Sequence, residues 1–412
     1  MTKTKNGGTR RVLRDRDAGL YLASVVVSAF GTSALGPACG MWVKDLTGSN
    51  GLAALCLLAT WAPTLAGPLL GTIADRLPRK PLLIWADLGL GAVLLTLFAV
   101  RSRDDLWLLF TVLLVYGTVV AVRDPAESAV VTGVVGPELL GDLGGLRTTA
   151  VEGMKLVAPL TGAALYAAYG GAAVACLDAG TFALAAAVWP FVRVREEPPR
   201  PRAGGGRAQA AEGVRELWGH PLLRPLVLAG GATMFLSSLS STMTYGVVDA
   251  LGHSPAYAGV LYAVQGAGST AVGLVSGAAL RRLGARRFAA AGIALTAVAV
   301  AARAVPSDPV VLAGSLGIGL GLPCVLIAAF TAVQLETPGP LLGRVTATAG
   351  TLIFTPTAVG LAVGAGLVEL AGPAPLLPVY GVALLATAAS LVQRVDSASR
   401  TTDRSPSDAN PA

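Results

Sequence analysis

Twelve apolar segments separated by polar loops run along this chain. Each is close to the ~20 residues that a helix needs to cross the hydrocarbon core of a bilayer. The predicted spans are 18–40, 51–74, 81–100, 106–126, 147–168, 172–192, 222–247, 256–280, 287–305, 310–333, 346–370 and 374–393. Since a chain in lipid must satisfy its own backbone hydrogen bonds, each span is expected to be an α-helix. The pattern therefore predicts an all-α polytopic membrane protein with 12 transmembrane helices.

The longest polar stretch separates the spans into two sets of six. It is rich in Pro, Gly and charged residues, as in a flexible linker, and then carries an amphipathic pattern near 211–218 that predicts a short helix on the membrane surface. The predicted organisation is a basic cytoplasmic tail at 1–17, a six-helix bundle at 18–192, a cytoplasmic linker at 193–221, a second six-helix bundle at 222–393 and a disordered cytoplasmic tail at 394–412.

The two halves repeat each other weakly. Gly71 lies five residues before Arg76, and Gly277 lies five residues before Arg282, each at the end of the second span of its half. Paired six-helix halves with a central site between them are the usual architecture of secondary transporters. The repeat therefore predicts two pseudo-symmetric bundles.

Composition agrees with a membrane protein. Of 412 residues, 53% are hydrophobic and 13% are charged, whereas roughly 25% are charged in soluble proteins. The mean hydropathy is +0.65. Most of the basic residues behind the net charge of +7 lie in loops or tails, so the charge indicates orientation in a membrane and no nucleic-acid partner is expected.

The basic residues are distributed unequally between the two sides. Only Lys44, Arg101, Arg103 and Arg303 are assigned to the side opposite the chain ends. Because Lys and Arg concentrate in cytoplasmic loops, this bias predicts a multi-pass protein of the cell membrane with both termini in the cytoplasm.

A short polar stretch joins the second and third spans. It reads Gly71-Thr72-Ile73-Ala74-Asp75-Arg76-Leu77-Pro78-Arg79-Lys80. Gly71 has no side chain and lets a neighbouring helix approach closely. Asp75 can lie against the positive N-terminal end of another helix, and Arg76, Arg79 and Lys80 suit a loop that faces anionic lipid head groups. The alternative is an ordinary cytoplasmic loop with an incidental acid.

The spacing Gly-x-x-Ala-Asp-Arg-x-x-Arg-Lys in this loop resembles the signature loop of the major facilitator superfamily of secondary transporters. The resemblance implies twelve helices in two six-helix halves. It also implies that Asp75, Arg76 and Arg79 are gating residues, with Asp75 latching the cytoplasmic side shut against the start of the eleventh helix. Pro78 stands where the family usually has Gly.

Further motifs resemble the efflux branch of this family, which includes siderophore and macrolide exporters. They are Leu46-Thr47-Gly48-Ser49, Gly67-Pro68, Glu212-Gly213-Val214 and Gly343-Arg344-Val345. In the fifth span, Ala158-Pro159-Leu160-Thr161-Gly162-Ala163 is similar to the motif of drug/proton antiporters. Pro159 can kink the helix, and Gly162 and Ala163 permit tight packing; ordinary small-residue packing is the alternative.

Ionisable residues at membrane depth are costly and mark functional candidates. Those in the first half are Arg123, Asp124, Glu127, Glu152, Lys155 and Asp178. Glu152 and Lys155 share one helix face at i, i+3. One hypothesis is that Glu152 or Asp124 exchanges a proton during transport, because a carboxylate charged in water takes up a proton when buried without a partner. The alternative is a static network of salt bridges between the fourth and fifth helices.

Neutral polar residues predict a solute cavity in the second half. Tyr245, Tyr262 and Gln265 among apolar residues suit a large, mostly apolar solute with a few polar contacts. Ser237 to Thr244 can instead form hydrogen bonds between helices.

The resemblance and these residues together predict a monomeric secondary transporter that exports a hydrophobic or amphipathic small molecule, such as an antibiotic, drug or siderophore, by proton antiport. Alternatives are an importer or facilitator on the same fold, and a sensor that binds ligand without flux. No catalytic or metal-ligand spacing and no phosphate-binding loop is present in the sequence, so we expect no enzyme activity and no cofactor, with the proton gradient as the energy source.

Replacing Asp75 tests the gating hypothesis. We expect Asp75→Asn to reduce efflux without preventing insertion, because Asn keeps the size of the side chain but loses its negative charge. Efflux from cells expressing equal amounts of each variant measures the effect, with Asp104→Asn in a loop on the opposite side as the control. Unchanged efflux in Asp75→Asn would remove the gating role.

Overall fold

The protein is described from a computed structural model over residues 11–67, 70, 77–131, 133–135, 139–193 and 206–402. Its regular elements in these ranges are helices. The α-helices, in chain order α1 to α13, are Arg16–Thr47, Asn50–Trp61, Arg79–Leu95, Leu106–Val131, Leu140–Tyr169, Gly171–Val188, Gly206–Gly219, Leu223–Thr242, Thr244–Ala250, Tyr257–Ala302, Asp308–Glu336, Gly339–Ala371 and Pro373–Thr402. Short 3-10 turns extend α2, α3 and α6.

The helices agree with the predicted spans. By length and composition, eight described helices could each cross a membrane. One of these, α10, is two spans joined at Gly284, whose φ of 76° breaks the helix; glycine adopts this left-handed conformation without a steric penalty. The two spans of α10, the other seven of these eight helices, and α2, α5 and α8 are together consistent with the predicted twelve spans.

The linker contains the predicted amphipathic helix, α7, which is bent by 106° relative to α8. Helix α7 packs on the first turns of α12. A Cβ at Gly213 would lie 2.6 Å from the Thr348 hydroxyl and 2.8 Å from the Arg344 carbonyl oxygen, and Arg344 forms an ion pair with Glu212. The linker is thus attached to the second half of the molecule.

The C-terminal helix is longer than predicted. Helix α13 continues through 394–402, which the sequence pattern assigned to a disordered tail, and the remainder of that tail lies outside the described residues.

Close backbone packing joins the two halves along α5 and α10. A Cβ at Gly266 would lie 2.5 Å from the carbonyl oxygen of Lys155, and one at Gly259 would lie 2.9 Å from that of Pro159. Because neither glycine has a side chain, the two helix backbones come into direct contact. We call this contact the α5–α10 seam.

The fifth-helix motif lies in the same region and also contacts α1. A Cβ at Gly162 would lie 2.6 Å from the carbonyl oxygen of Ala34, while Ala163 faces Gly259 across the seam. Ala158 and Pro159 are buried. Helix α5 therefore packs its small residues against α1 of its own half and against α10 of the other.

A pair of glycine substitutions tests this packing. Gly162→Ala should lower thermal stability, because the added methyl group meets the α1 backbone and overpacking of this kind costs about 1–3 kcal/mol. Gly153 is the matched control on the same helix, since a Cβ there meets nothing within 4 Å. Gly153→Ala should leave stability unchanged or raise it, because Ala is the better helix former. Thermal unfolding of the purified variants in detergent measures both, and equal melting temperatures would contradict the packing role of Gly162.

Candidate functional site

A cavity of about 660 Å³ lies between the two halves. Its walls come from α1, α2 and α5 on one side and from α8, α10, α11 and α12 on the other. The lining is mainly apolar, with Trp61, Met234, Leu322 and Phe354 among its larger side chains. We call this space the main lobe.

A second space of about 310 Å³ adjoins it, and both are lined by Leu57, Trp61, Tyr262 and Gln265. This polar lobe is bounded by hydroxyl groups of α8 and by Arg303 at the end of α10. Tyr262 and Gln265 therefore lie where the two lobes meet. The predicted cavity residues Tyr262 and Gln265 are in the lining.

Tyr245 was predicted to line the cavity, and that prediction is wrong. Its side chain is 4% exposed, it lies in neither lobe, and its hydroxyl donates a hydrogen bond of 2.8 Å to the carbonyl oxygen of Pro37 in α1. Tyr245 therefore forms a contact between the halves, from α9 of the second half to α1 of the first.

Glu152 lines the main lobe and contacts both halves. Its Oε1 accepts a hydrogen bond from Lys155 Nζ at 2.6 Å, and its Oε2 accepts one from the Ser269 hydroxyl of α10 at 3.1 Å. Lys155 also lines the lobe. The predicted pair is thus formed, and it lies on the α5–α10 seam.

A buried charge cluster connects α3, α4 and α5. Arg123 Nε donates to Asp87 Oδ1 at 2.7 Å, and Arg123 Nη1 donates to Glu127 Oε2 at 2.7 Å. Arg147 of α5 donates to Glu127 Oε1 at 3.1 Å. Asp124, on the neighbouring turn of α4, is close enough to Arg123 and Glu127 to interact with them electrostatically, but among the described residues it forms no ion pair or side-chain hydrogen bond with them.

Two neutral groups complete the hydrogen bonding of this cluster. The Tyr21 hydroxyl donates to Glu127 Oε1 at 3.0 Å, and Trp189 Nε1 donates to Asp87 Oδ2 at 3.1 Å. Each acid therefore has a cationic and a neutral donor. A buried charge needs such partners, because removing it from water is otherwise costly.

Asp178 lies apart from the other charges, fully buried in α6. Its Oδ1 accepts a hydrogen bond from Thr181 at 3.1 Å, and within the part of the chain that the structure describes its Oδ2 meets no donor in good hydrogen-bond geometry. Gly31 of α1 provides the space for it, because a Cβ there would clash with Asp178 and Thr181.

The signature loop is described only in part. Gly71, Asp75 and Arg76 lie outside the described residues. Arg79 is the first residue of α3, and Lys80 Nζ donates to the carbonyl oxygens of Pro190 and Val192 at 3.1 and 3.0 Å. Lys80 therefore ties the start of α3 to the end of α6, where carbonyl groups lack helical partners.

Gly343 and Arg344 lie in the first turns of α12. A Cβ at Gly343 would meet nothing within 4 Å, so close packing does not require glycine there. Arg344 instead joins α12 to the linker helix through Glu212.

Polar contacts between the halves cluster at the end of the bundle where α1 meets α2. Lys44 Nζ is 2.6 Å from Asp249 Oδ2. Glu369 Oε1 accepts hydrogen bonds from Ser49 Oγ at 2.7 Å and from the Gly51 backbone N–H at 2.6 Å. We call these five residues the distal contact.

Sequence reasoning missed several of these residues. Asp87 could have been found, because it is an acid inside an apolar span. The partners of the distal contact are about 200 to 320 residues apart along the chain, so no local pattern pairs them. Arg303 was placed in a loop and does lie in the turn after α10, but its burial (5% exposed) and its place in the lining of the polar lobe were not predicted.

Comparison with known proteins identifies the family. The family model of the Major Facilitator Superfamily matches residues 21–248, which is more than half of the chain. The chain belongs to the Major Facilitator Superfamily. The signature loop and the two six-helix halves inferred from the sequence agree with this membership.

A curated relative matches part of this superfamily member. "Macrolide efflux protein A" of Streptococcus pyogenes is 26% identical over 219 residues, which are 52% of this chain and 54% of the relative. The match thus spans about half the length of that relative.

Solved structures share the fold at low identity. A bacterial homologue of the iron transporter ferroportin, in an inward-facing state, has a TM-score of 0.70 at 16% identity and covers 92% of this chain and 98% of its own. The POT family transporter PepTSo has a TM-score of 0.72 at 15% identity, covering 93% of this chain and 98% of its own. The human organic anion transporter MFSD10 has a TM-score of 0.62 at 17% identity, covering 93% and 99%. These similarities show the fold.

The buried charge cluster gives a stability prediction. Asp87→Asn should destabilise the protein by about 3–5 kcal/mol, because it leaves Arg123 in a buried site with one acid in place of two. Asp104→Asn is the control, since Asp104 is exposed. Thermal unfolding in detergent measures both. A melting temperature for Asp87→Asn equal to that of the control would show that the Asp87–Arg123 pair carries little of the stability.

Proposed function

We propose that this member of the superfamily is a secondary active transporter of the cell membrane that exports a hydrophobic or amphipathic small molecule in exchange for protons. The main support is the cavity between two halves that are joined at the distal contact. The partial similarity to a macrolide efflux protein supports the direction of transport.

The lining of the cavity supports an amphipathic solute. Ligand sites of this kind are mostly apolar with a few placed polar groups, and the two lobes combine aromatic and aliphatic walls with Gln265, Tyr262 and the hydroxyl groups of α8. The combined space suits a molecule larger than a single amino acid or sugar.

The distal contact supports alternating access. We propose that this end faces the outside and that the linker and both termini face the cytoplasm, as the basic loops predict. The outside is then closed by Lys44–Asp249 and by Glu369 on the start of α2. Opening to the outside requires these contacts to separate while the halves rock about the α5–α10 seam, and a single chain contains both halves, so a monomer suffices.

Glu152 is the carboxylate that we propose for coupling to protons. It lines the main lobe and contacts α10 of the other half through Ser269. Protonation would remove its negative charge and so weaken its pairing with Lys155. Uptake of a proton could therefore alter both the contact between the halves and the charge that the solute meets.

Efflux measurements test the proposed function. Cells that express the protein should accumulate less of one or more lipophilic fluorescent dyes than cells without it, and a protonophore should abolish the difference, since the proton gradient supplies the energy. Greater accumulation in expressing cells would instead indicate an importer. Binding of a dye to the purified protein without any flux would indicate a sensor.

The proposed coupling residue has its own test. Glu152→Gln should flatten the dependence of efflux on external pH, because the amide does not titrate. Glu216→Gln in the linker helix is the control, since Glu216 lines neither lobe of the cavity. A pH profile in Glu152→Gln equal to that of the control would assign Glu152 a structural role.

A further inference from the structure

Arg303 is a buried cation without an acidic partner. It caps the C-terminal end of α10 and is 5% exposed, yet it is part of the lining of the polar lobe. Its Nη2 donates to the Thr244 hydroxyl at 3.3 Å, and no described residue accepts a hydrogen bond from its Nε. Among the described residues no carboxylate forms an ion pair with it.

The acids at this end of the second half are paired elsewhere. Asp249 bonds to Lys44 at 2.6 Å, and Asp308, five residues after Arg303, bonds to His253 at 2.8 Å. Burial of a guanidinium group is costly unless a negative charge or several acceptors compensate it. The protein as described supplies one weak acceptor, from Thr244.

The packing of α10 against α11 determines where the Arg303 side chain lies. Its aliphatic stem crosses Gly314 of α11, where a Cβ would lie 2.8 Å from the Arg303 Cγ. Glycine at this position therefore makes room for the side chain to turn inward. The backbone of Arg303 lies at the end of α10, and its guanidinium group reaches the cavity.

Other groups in the polar lobe also lack partners. The hydroxyl oxygens of Ser237, Ser240 and Thr357 are buried and form no hydrogen bond with any residue in the described ranges, and all three residues line the lobe. Hydroxyl groups can donate to an oxyanion. Unsatisfied buried polar groups are uncommon in folded proteins, and here they share one cavity with an unpaired cation.

The other charges in the cavity lining also favour an anionic ligand. Glu152 and Lys155 in the main lobe pair with each other at 2.6 Å, so Arg303 is the charge in the lining that remains uncompensated. A cationic solute would gain nothing in the polar lobe. An oxyanion would satisfy the guanidinium group and the free hydroxyls together.

We propose that the polar lobe binds the carboxylate, or a similar oxyanion, of an amphipathic acid whose apolar body occupies the main lobe, with Arg303 as the anion-binding residue. The guanidinium group is planar and binds carboxylates through two parallel hydrogen bonds. The inference rests on the proposed function in one respect, that the anion belongs to the solute carried. It goes beyond that function by giving the solute a charge and an orientation.

Binding of a matched pair of probes tests the proposal. The full-length protein in phosphatidylcholine nanodiscs is titrated with the fluorescent acid 11-(dansylamino)undecanoic acid and with its uncharged methyl ester. We expect the acid to bind about tenfold more tightly, a difference of ~1.4 kcal/mol. Arg303→Gln should bring the two affinities together by weakening the acid while leaving the ester unchanged.

Two further variants serve as controls. Arg287→Gln, at an exposed position on the same helix, should keep the wild-type preference. Arg303→Lys should keep part of it, because the charge remains but the planar fork is lost. Equal binding of acid and ester by the wild type, or an unchanged preference in Arg303→Gln, would overturn the proposal. If Arg303→Gln does not fold, the wild-type ratio and the reduced ratio expected of Arg303→Lys still decide it.

The source of the anion is decided by changing the lipid. Nanodiscs that contain phosphatidylglycerol should leave the preference for the acid unchanged; its loss would assign the polar lobe to a lipid head group and overturn the assignment to a solute. The binding assay is independent of transport. If the protein prefers the acid but exports no dye, the proposed export is refuted and the anion site stands. If the protein exports dye but binds acid and ester equally, the anion site is refuted and the proposed export stands.

Discussion

The backbone contact between α5 and α10 is the constraint on which the rest of the structure depends. Gly259 and Gly266 bring the two helices together without intervening side chains. In lipid, where helices gain little from burying apolar groups against one another, such close packing is a main source of association. The seam joins the two halves along α5 and α10, and both helices also contribute to the wall of the main lobe.

This seam also determines what lies in the cavity. Glu152 and Lys155 project from α5 on one side of it, and Ser269 and Gln265 project from α10 on the other. A rocking motion about the seam would therefore change the surroundings of these side chains more than those of residues inside either half. The same motion would separate the distal contact, whose partners come from opposite halves.

The charged side chains are compensated in different ways. Arg123 has two acids within hydrogen-bond distance, which suits a residue that holds α3 and α4 together. Lys44 pairs with an acid of the other half, so its pairing depends on the conformation. Within the described ranges Arg303 forms no ion pair with an acid and Asp178 forms none with a cation; each is held by a neutral hydroxyl group, that of Thr244 for Arg303 and that of Thr181 for Asp178.

The sequence by itself determined the class of fold, the division into two halves and the family, because long apolar spans, the positions of basic loops and the spacing of the signature loop are local properties of the chain. It also located the Glu152–Lys155 pair, since residues at i, i+3 share a helix face. Only the tertiary structure decided the partners of Asp87, Lys44 and Glu369 and placed Arg303 in the cavity and Tyr245 outside it. These depend on which helices meet and how each is rotated, and both follow from side-chain packing between segments far apart in sequence.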